Sequence, residues 1–194
     1  MNRCRYIAIF VLLLGLSYTR SPNLEEIGVE QVFLTQDQAL KEVFPEASRF
    51  ELDTKEVSEK VQKEIEENNI GPLESSQMVF HLAKAVDGKL LGYGIVVNQQ
   101  GKYRPITQLV GITPDFQVKD VAIMIYRESR GADVRRKRFL NQFKKKSIKD
   151  PLQVNRDIIN ISGATISAHS VSIAVRRVLF LANRLYQPNQ PKKP

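Results

Sequence analysis

Between Ser75 and Tyr126 the chain alternates β-rich runs with turn chemistry, and that order restricts the fold more than any other feature. The runs SSQMVFHLAKAV, KLLGYGIVV, KYRPITQLVGI and VKDVAIMIY are separated by Asp87-Gly88, NQQG and TPDFQ. Asp87-Gly88 is the strongest hairpin signal, because both turn residues accept positive φ. The pattern predicts an antiparallel β-meander. Gly92 and Gly94 weaken the second run locally and point to a bulge or to close approach by another group. Pro105 belongs at an edge or at a strand start.

Helical patterns flank this sheet, so the fold class is α+β, a meander packed with helices in a single domain. TQDQALKEVFP has Thr35 as a cap, Ala39, Leu40, Val43 and Phe44 at helical spacing, and Pro45 as a stop. DTKEVSEKVQKEIEENN places Val57, Val61 and Ile65 four apart and ends before Gly71-Pro72. Its charges read as a solvated face. Near the C-terminus Val171, Ala174, Val175, Val178, Leu179 and Ala182 mark the buried face of a helix starting near Ser167. Residues 21–72 read as an N-terminal helical segment, 73–187 as the main domain and 188–194 as a polar tail.

The first 20 residues read as an address. Arg3 and Arg5 precede an apolar run from Tyr6 to about Leu16, and polar residues with Pro22 follow, which is the layout of a secretory signal. Gly15-Leu16-Ser17 offers a small-x-small cleavage pattern, and the run is shorter than the roughly 20 residues that span a bilayer. Export is the expectation, to a periplasmic or other extracytoplasmic face. An uncleaved anchor over residues 6–18 is the alternative, and a buried N-terminal element is the bland one. Cys4, the only cysteine, lies upstream of the apolar run, which excludes disulfides, thiolate metal sites and a cysteine nucleophile from the body. With only His81 and His169, a histidine-rich metal site is not expected either, and no metal ligand is assigned.

The formal net charge of +8 suits an anionic partner without choosing among nucleic acid, lipid surface and phosphate-bearing cofactor. Ten Lys or Arg residues fall between Arg127 and Lys149, against Glu128, Asp133 and the adjoining Asp150. Val134, Phe139, Leu140 and Phe143 supply a buried stripe for a helix whose other faces are basic. Such a helix is either a solubilising face or a contact for an anionic membrane or acidic partner. Nucleic acid is not expected, because the chain reads as exported and its aromatics do not interleave with the basic residues.

Just before the C-terminal helix the chain reads NISGATIS, residues 160–167. Small and hydroxyl-bearing residues at a helix N-terminus favour an anion: backbone N–H groups and the helix dipole point outward, and Gly163 and Ala164 leave room for a phosphate. Ser162, Thr165 and Ser167 add hydroxyls. The competing account is ordinary Ser/Thr capping, and the segment lacks the lysine of a GxxxxGK[ST] loop.

Taken together, DGKLLGYGIVV, VAIMIYRESRG, FLNQF and ISGATIS with its helix resemble the FMN-binding domain family over roughly residues 77–185. That domain occurs in flavin-carrying subunits of Rnf and sodium-pumping NADH:quinone reductase complexes. The resemblance implies FMN as cofactor, esterified through its phosphate to the threonine that closes SGAT, here Thr165, by a separate FAD:protein FMN transferase. Ser162, Gly163, Ala164 and Ser167 then shape the phosphate loop, while Glu128 and Gly131 are neighbours of the flavin ring. The family loop after the strand often reads E-T-P-G; Glu128 and Gly131 match it, whereas Ser129 and Arg130 depart. An acid commonly stands a few residues before SGAT, but here Ile159 and Asn160 take the nearer positions and Asp157 lies farther upstream.

The implied function is electron transfer by an exported or membrane-associated flavoprotein with a membrane-associated redox partner. No protein residue is assigned a catalytic role, because the isoalloxazine carries the redox chemistry. Tyr93, Tyr103 and Tyr126 have rings able to stack on a flavin, but each falls on an expected strand and reads first as core. The rival reading is a flavin-free binding module that uses the basic helix. A third, a flavoenzyme reducing a small molecule, needs an acid near the ring, and Glu128 is the one obvious candidate.

Overall fold

The computed structural model describes residues 28–187, so the leader, Cys4 and the polar tail lie outside the described residues. Six strands form one antiparallel sheet: β1 (Gln31–Val32), β2 (Arg49–Glu56), β3 (Gln77–Lys84), β4 (Leu90–Gln100), β5 (Pro105–Ile112) and β6 (Val118–Tyr126). Their order across the sheet is β1-β6-β5-β4-β3-β2, so β2 to β6 run as a meander and β1 closes the β6 edge. Pro105 opens β5, where no ladder donor is lost.

Two layers of helix cover the sheet. The longest helix, α4 (Thr165–Tyr186), lies across β4, β5 and β6 and buries Ala168, Val171, Ala174, Val175, Val178 and Ala182 against Ile95, Ile106, Val110, Ile112 and Val121. It is apolar enough to cross a bilayer by composition, but its apolar face is buried here as the core. On the opposite face α1 (Gln36–Val43) packs across β5 and β6. Thr35 and Gln38 form a reciprocal capping box that satisfies two of its otherwise orphaned N–H groups. The glycines of β4 answer to close neighbours: a Cβ at Gly94 would stand 3.2 Å from Leu40 of α1, and one at Gly92 would stand 2.3 Å from the Ile112 carbonyl oxygen and 2.8 Å from Phe44. A register shift after Ala83 lies opposite Gly92, so the bulge and the close approach occur together. A third cluster joins α2 (Glu59–Glu67) to the end of α4 through Val57, Ile65, Ile70 and Leu181.

Two expectations are corrected. Residues 21–72 are not helical throughout, because β1 and β2 lie within them and pair with β6 and β3. β2 reads Arg-Phe-Glu-Leu-Asp-Thr-Lys-Glu and buries no side chain fully; its backbone ladder to β3 and the half-buried Phe50 against Phe44 hold it, and its charges blunt an exposed sheet edge. The basic segment is not one helix either. It breaks into a 3-10 turn over Ala132–Arg135, a single turn α3 (Lys137–Leu140) and a second 3-10 turn over Asn141–Phe143, with Arg136 extended between the first two. The stripe of Val134, Phe139, Leu140 and Phe143 is nevertheless buried. Much of the positive charge is paired: Lys137 and Lys144 flank Asp120, Lys146 meets Asp157, Arg127 meets Glu30 and Arg136 meets Asp133.

Candidate functional site

The meander and α4 converge on one cavity of about 650 Å³, lined by Lys102, Tyr103, Glu128, Ser129, Arg130, Gly163, Ala164, Thr165, Ile166 and Ser167. Three elements build it: the β4–β5 turn, the ESRG turn after β6, and the first turn of α4. Five of the seven residues expected at the site therefore share one wall. Ser162 faces instead a neighbouring cavity of about 380 Å³, beside Phe139, Arg136 and Arg138. Gly131 sits behind the wall, where a Cβ would stand 2.7 Å from both Ser167 Oγ and Tyr126 Oη.

Thr165 is the first residue of α4 and is exposed. The preceding Ala164 contributes no side-chain cap, so the first-turn N–H groups open on the same cavity as the Thr165 hydroxyl. Gly163 makes the approach by holding φ at +77°, and nothing lies within 4 Å of where its Cβ would be. Asn160 Nδ2 donates to Thr165 Oγ1 at 3.0 Å, which fixes the hydroxyl oxygen. Asp157 is not available for that purpose. Its carboxylate accepts from Lys146, Leu152 N and Gln153 N. Burial pushes its pKa up, but Lys146 and the two backbone amides outweigh that and hold it below the ordinary value.

Glu128, 5% exposed, has a defined structural task. Its Oε1 accepts from Tyr103 N at 2.6 Å and Arg104 N at 3.0 Å, so it pins the β4–β5 turn against the end of β6. Gly101 permits this, since a Cβ there would stand 2.6 Å from Glu128 Oε1. Tyr103, expected on a strand, lies in that turn and borders the cavity, with Lys102 over its ring at 4.5 Å. Tyr93 and Tyr126 are buried in the core.

Tyr126 does more than pack. Its hydroxyl donates to Arg130 O and sits 2.7 Å from Ser167 Oγ, joining the ESRG turn to α4. Burial raises its pKa; the Ser167 bond opposes that and the Glu128 charge adds to it, so the phenol stays protonated at neutral pH. The sequence carried one hint of this role, a tyrosine two positions before Glu128. Asn160 drew notice only as a departure from the expected acid.

A cavity of this size falls within the range of cofactor sites. Helix-terminal N–H groups, Lys102 and Arg130 suit a phosphate, and the Tyr103 ring adds an apolar surface. The donor set thus fits FMN, an anionic and aromatic cofactor.

Fold and site together define a small domain that presents a threonine hydroxyl at the mouth of an anion-accepting cavity. Residues 101–179 match the family model described as the FMN-binding domain. Among solved structures, a Na(+)-translocating NADH-quinone reductase subunit from Parabacteroides distasonis ATCC 8503 aligns with a TM-score of 0.50 at 17% identity. The alignment covers 87% of this chain and 90% of that one, a likeness of fold. Shewanella oneidensis NqrC aligns over 85% of this chain and 82% of its own, with 18% identity and a TM-score of 0.46. The comparison with curated proteins returns no match.

Proposed function

We propose that the chain is an exported or membrane-associated electron-transfer flavoprotein whose FMN is joined through its phosphate to Thr165 Oγ1. One observation carries this reading: the Thr165 hydroxyl is exposed, held by Asn160, and opens on the same cavity as Gly163, Ala164, Ser167 and Glu128. Attachment requires an FAD:protein FMN transferase. Thr165 Oγ1 takes the FMN phosphoryl group from FAD, the pyrophosphate bond breaks, AMP leaves, and the hydroxyl proton passes to the transferase or to water.

FMN, once bound, supplies the one- and two-electron chemistry. The protein's own residues retain, orient and partly desolvate it. A covalent tether keeps the cofactor at high effective concentration and prevents its loss outside the cell. Backbone N–H groups at the start of α4, with Lys102 and Arg130, hold the phosphate. Glu128 and Tyr126 act through the turns they fix, Glu128 on residues 103–104 and Tyr126 on residues 130 and 167. Electron exchange with a membrane-associated partner on the extracytoplasmic side is the role this arrangement serves.

The flavin-free module loses ground because half of its basic segment is tied up in ion pairs. The deciding experiment is intact mass and flavin fluorescence of the denatured protein after coexpression with the transferase, for wild type and Thr165→Val. Flavin that stays with wild type and is missing from the variant supports the proposal. Wild type without flavin under those conditions refutes it.

A further inference from the structure

β3 and β4 separate part-way along their length. They pair from Lys84–Leu90 to His81–Gly94, and there the ladder stops. Beyond that point residues 77–80 of β3 pair only with β2, and residues 95–100 of β4 pair only with β5. Each strand therefore keeps one unladdered edge, and the two edges face each other. Along this stretch Met78 and Leu73 pack against Val57, Ile65, Ile70 and Leu181, and Met78 also touches the main core.

The split holds a cavity of about 420 Å³. Val79, His81 and Val96 line it, with Gln77 and Asn98 farther along the two edges. Leu52, on β2, adds apolar surface at the rim and is 69% exposed. Arg177 reaches the cavity from α4 although it is only 5% exposed. Its guanidinium donates to Pro72 O at 2.9 Å and Asn98 O at 3.0 Å, and among the described residues no carboxylate lies within ion-pairing distance of it. Glu74, on the same rim, is held by Asn98 Nδ2 at 3.4 Å and acts on Arg177 only from farther away.

A buried cation with neutral acceptors alone is costly, and a guanidinium has five donors, of which two are used here. Open strand edges are templates for an extended backbone. From these two features we infer that the β3–β4 cleft binds a short extended peptide segment ending in a carboxylate, with the backbone laid along the strand edges and the carboxylate on Arg177. The valines and Leu52 accept small apolar side chains. The site is separate from the FMN cavity and does not depend on the flavin reading, since Arg177 is 12 residues along α4 from Thr165.

The test is an amide NMR titration of the full chain with acetyl-Val-Thr-Val as the free acid, as the C-terminal amide, and with sodium acetate. The free acid is expected to shift resonances of residues 77–81 and 95–98 and to bind about tenfold or more tighter than the amide. Arg177→Met should remove the acid-over-amide difference. Val79→Glu, at a position 44% exposed, should weaken the acid about tenfold without unfolding the protein. Equal binding of acid and amide to wild type, acetate binding as tightly as the peptide acid, or no shifts in the cleft at millimolar peptide would each overturn the inference.

Discussion

The Tyr126 hydroxyl stands 2.7 Å from Ser167 Oγ while donating to Arg130 O, so one phenol joins the end of the sheet, the ESRG turn and the first turn of α4. All of these atoms lie at or beneath the wall of the candidate FMN cavity. Tyr126→Phe keeps the ring and removes the link, leaving the Ser167 hydroxyl and a carbonyl without their partner. We expect a loss of about 1–3 kcal/mol in chemical denaturation, the cost of stranding buried polar groups. Ser167→Ala should cost less, because the phenol keeps Arg130 O. Equal losses in the two variants would contradict this hierarchy.

Glu128 separates a positioning role from an acid–base one. Its carboxylate serves two backbone amides of the β4–β5 turn. Glu128→Gln retains an oxygen acceptor and should lower stability by about 1 kcal/mol, whereas Glu128→Ala should cost about 2–3 kcal/mol. Both variants should still accept flavin at Thr165. A Gln variant that is as stable as wild type but unable to cycle the bound flavin would restore Glu128 as the proton donor.

Gly163 is the one site residue whose backbone, rather than its side-chain space, constrains it. With φ at +77° and open space beyond, alanine meets no clash but is placed in a strained conformation. Gly163→Ala should lose about 1 kcal/mol in thermal or denaturant unfolding, and flavin attachment should slow as the loop relaxes. An unchanged midpoint would mean that the loop shifts at no cost.

The meander, the capping box at Thr35 and the buried face of α4 were legible in the sequence because each carries a local signal: alternating apolar runs, a Thr-x-x-Gln spacing, apolar residues three and four apart. β2 was not legible. None of its eight side chains is fully buried, only Phe50 packs on the core, and most of what holds it is a ladder to residues 77–84 that no local pattern reveals. The basic segment misled for the opposite reason, since Val134, Phe139, Leu140 and Phe143 satisfy helical spacing while three short turns deliver the same burial. At the candidate site, the small and hydroxyl-bearing residues 162–167 stand together in one stretch and so are visible in the sequence. The partners Tyr126 and Asn160 depend on long-range or loop geometry, and their residue types are common elsewhere.

Asp157 gives the site's supporting loop an acid limit. Burial raises its pKa, but Lys146 and the Leu152 and Gln153 amides prevail and hold it below the ordinary 3.8 in the folded chain. The stabilisation is therefore complete above the unfolded value and drains away as pH falls through the lower, folded one. Asp157→Asn should be less stable than wild type at neutral pH, and the two stability curves should converge below about pH 4. Denaturant midpoints measured from pH 7 to pH 2 test this; a constant difference across that range would remove Asp157 as the source.

Asn160 bears most directly on the proposed modification of Thr165. Its amide donates to Thr165 Oγ1 at 3.0 Å while its own Oδ1 accepts from Ile161 N, so the side chain is fixed at both ends. Donation to the oxygen occupies one lone pair and leaves the second lone pair and the hydroxyl proton for other partners. Asn160→Ala frees the hydroxyl to rotate. Asn160→Asp replaces the donor with an acceptor, so that Thr165 becomes the donor and its oxygen becomes more nucleophilic. With Thr165 as the attachment site, flavin incorporation by a transferase should slow several-fold in Asn160→Ala and proceed at least as fast as wild type in Asn160→Asp. Because the residue is half-buried in a loop and makes two hydrogen bonds there, both variants should lose no more than about 1 kcal/mol of stability. A time course of in-gel flavin fluorescence reads the rates. Identical rates in all three proteins would show that Asn160 only shapes the loop and that the transferase supplies the whole of the hydroxyl's activation.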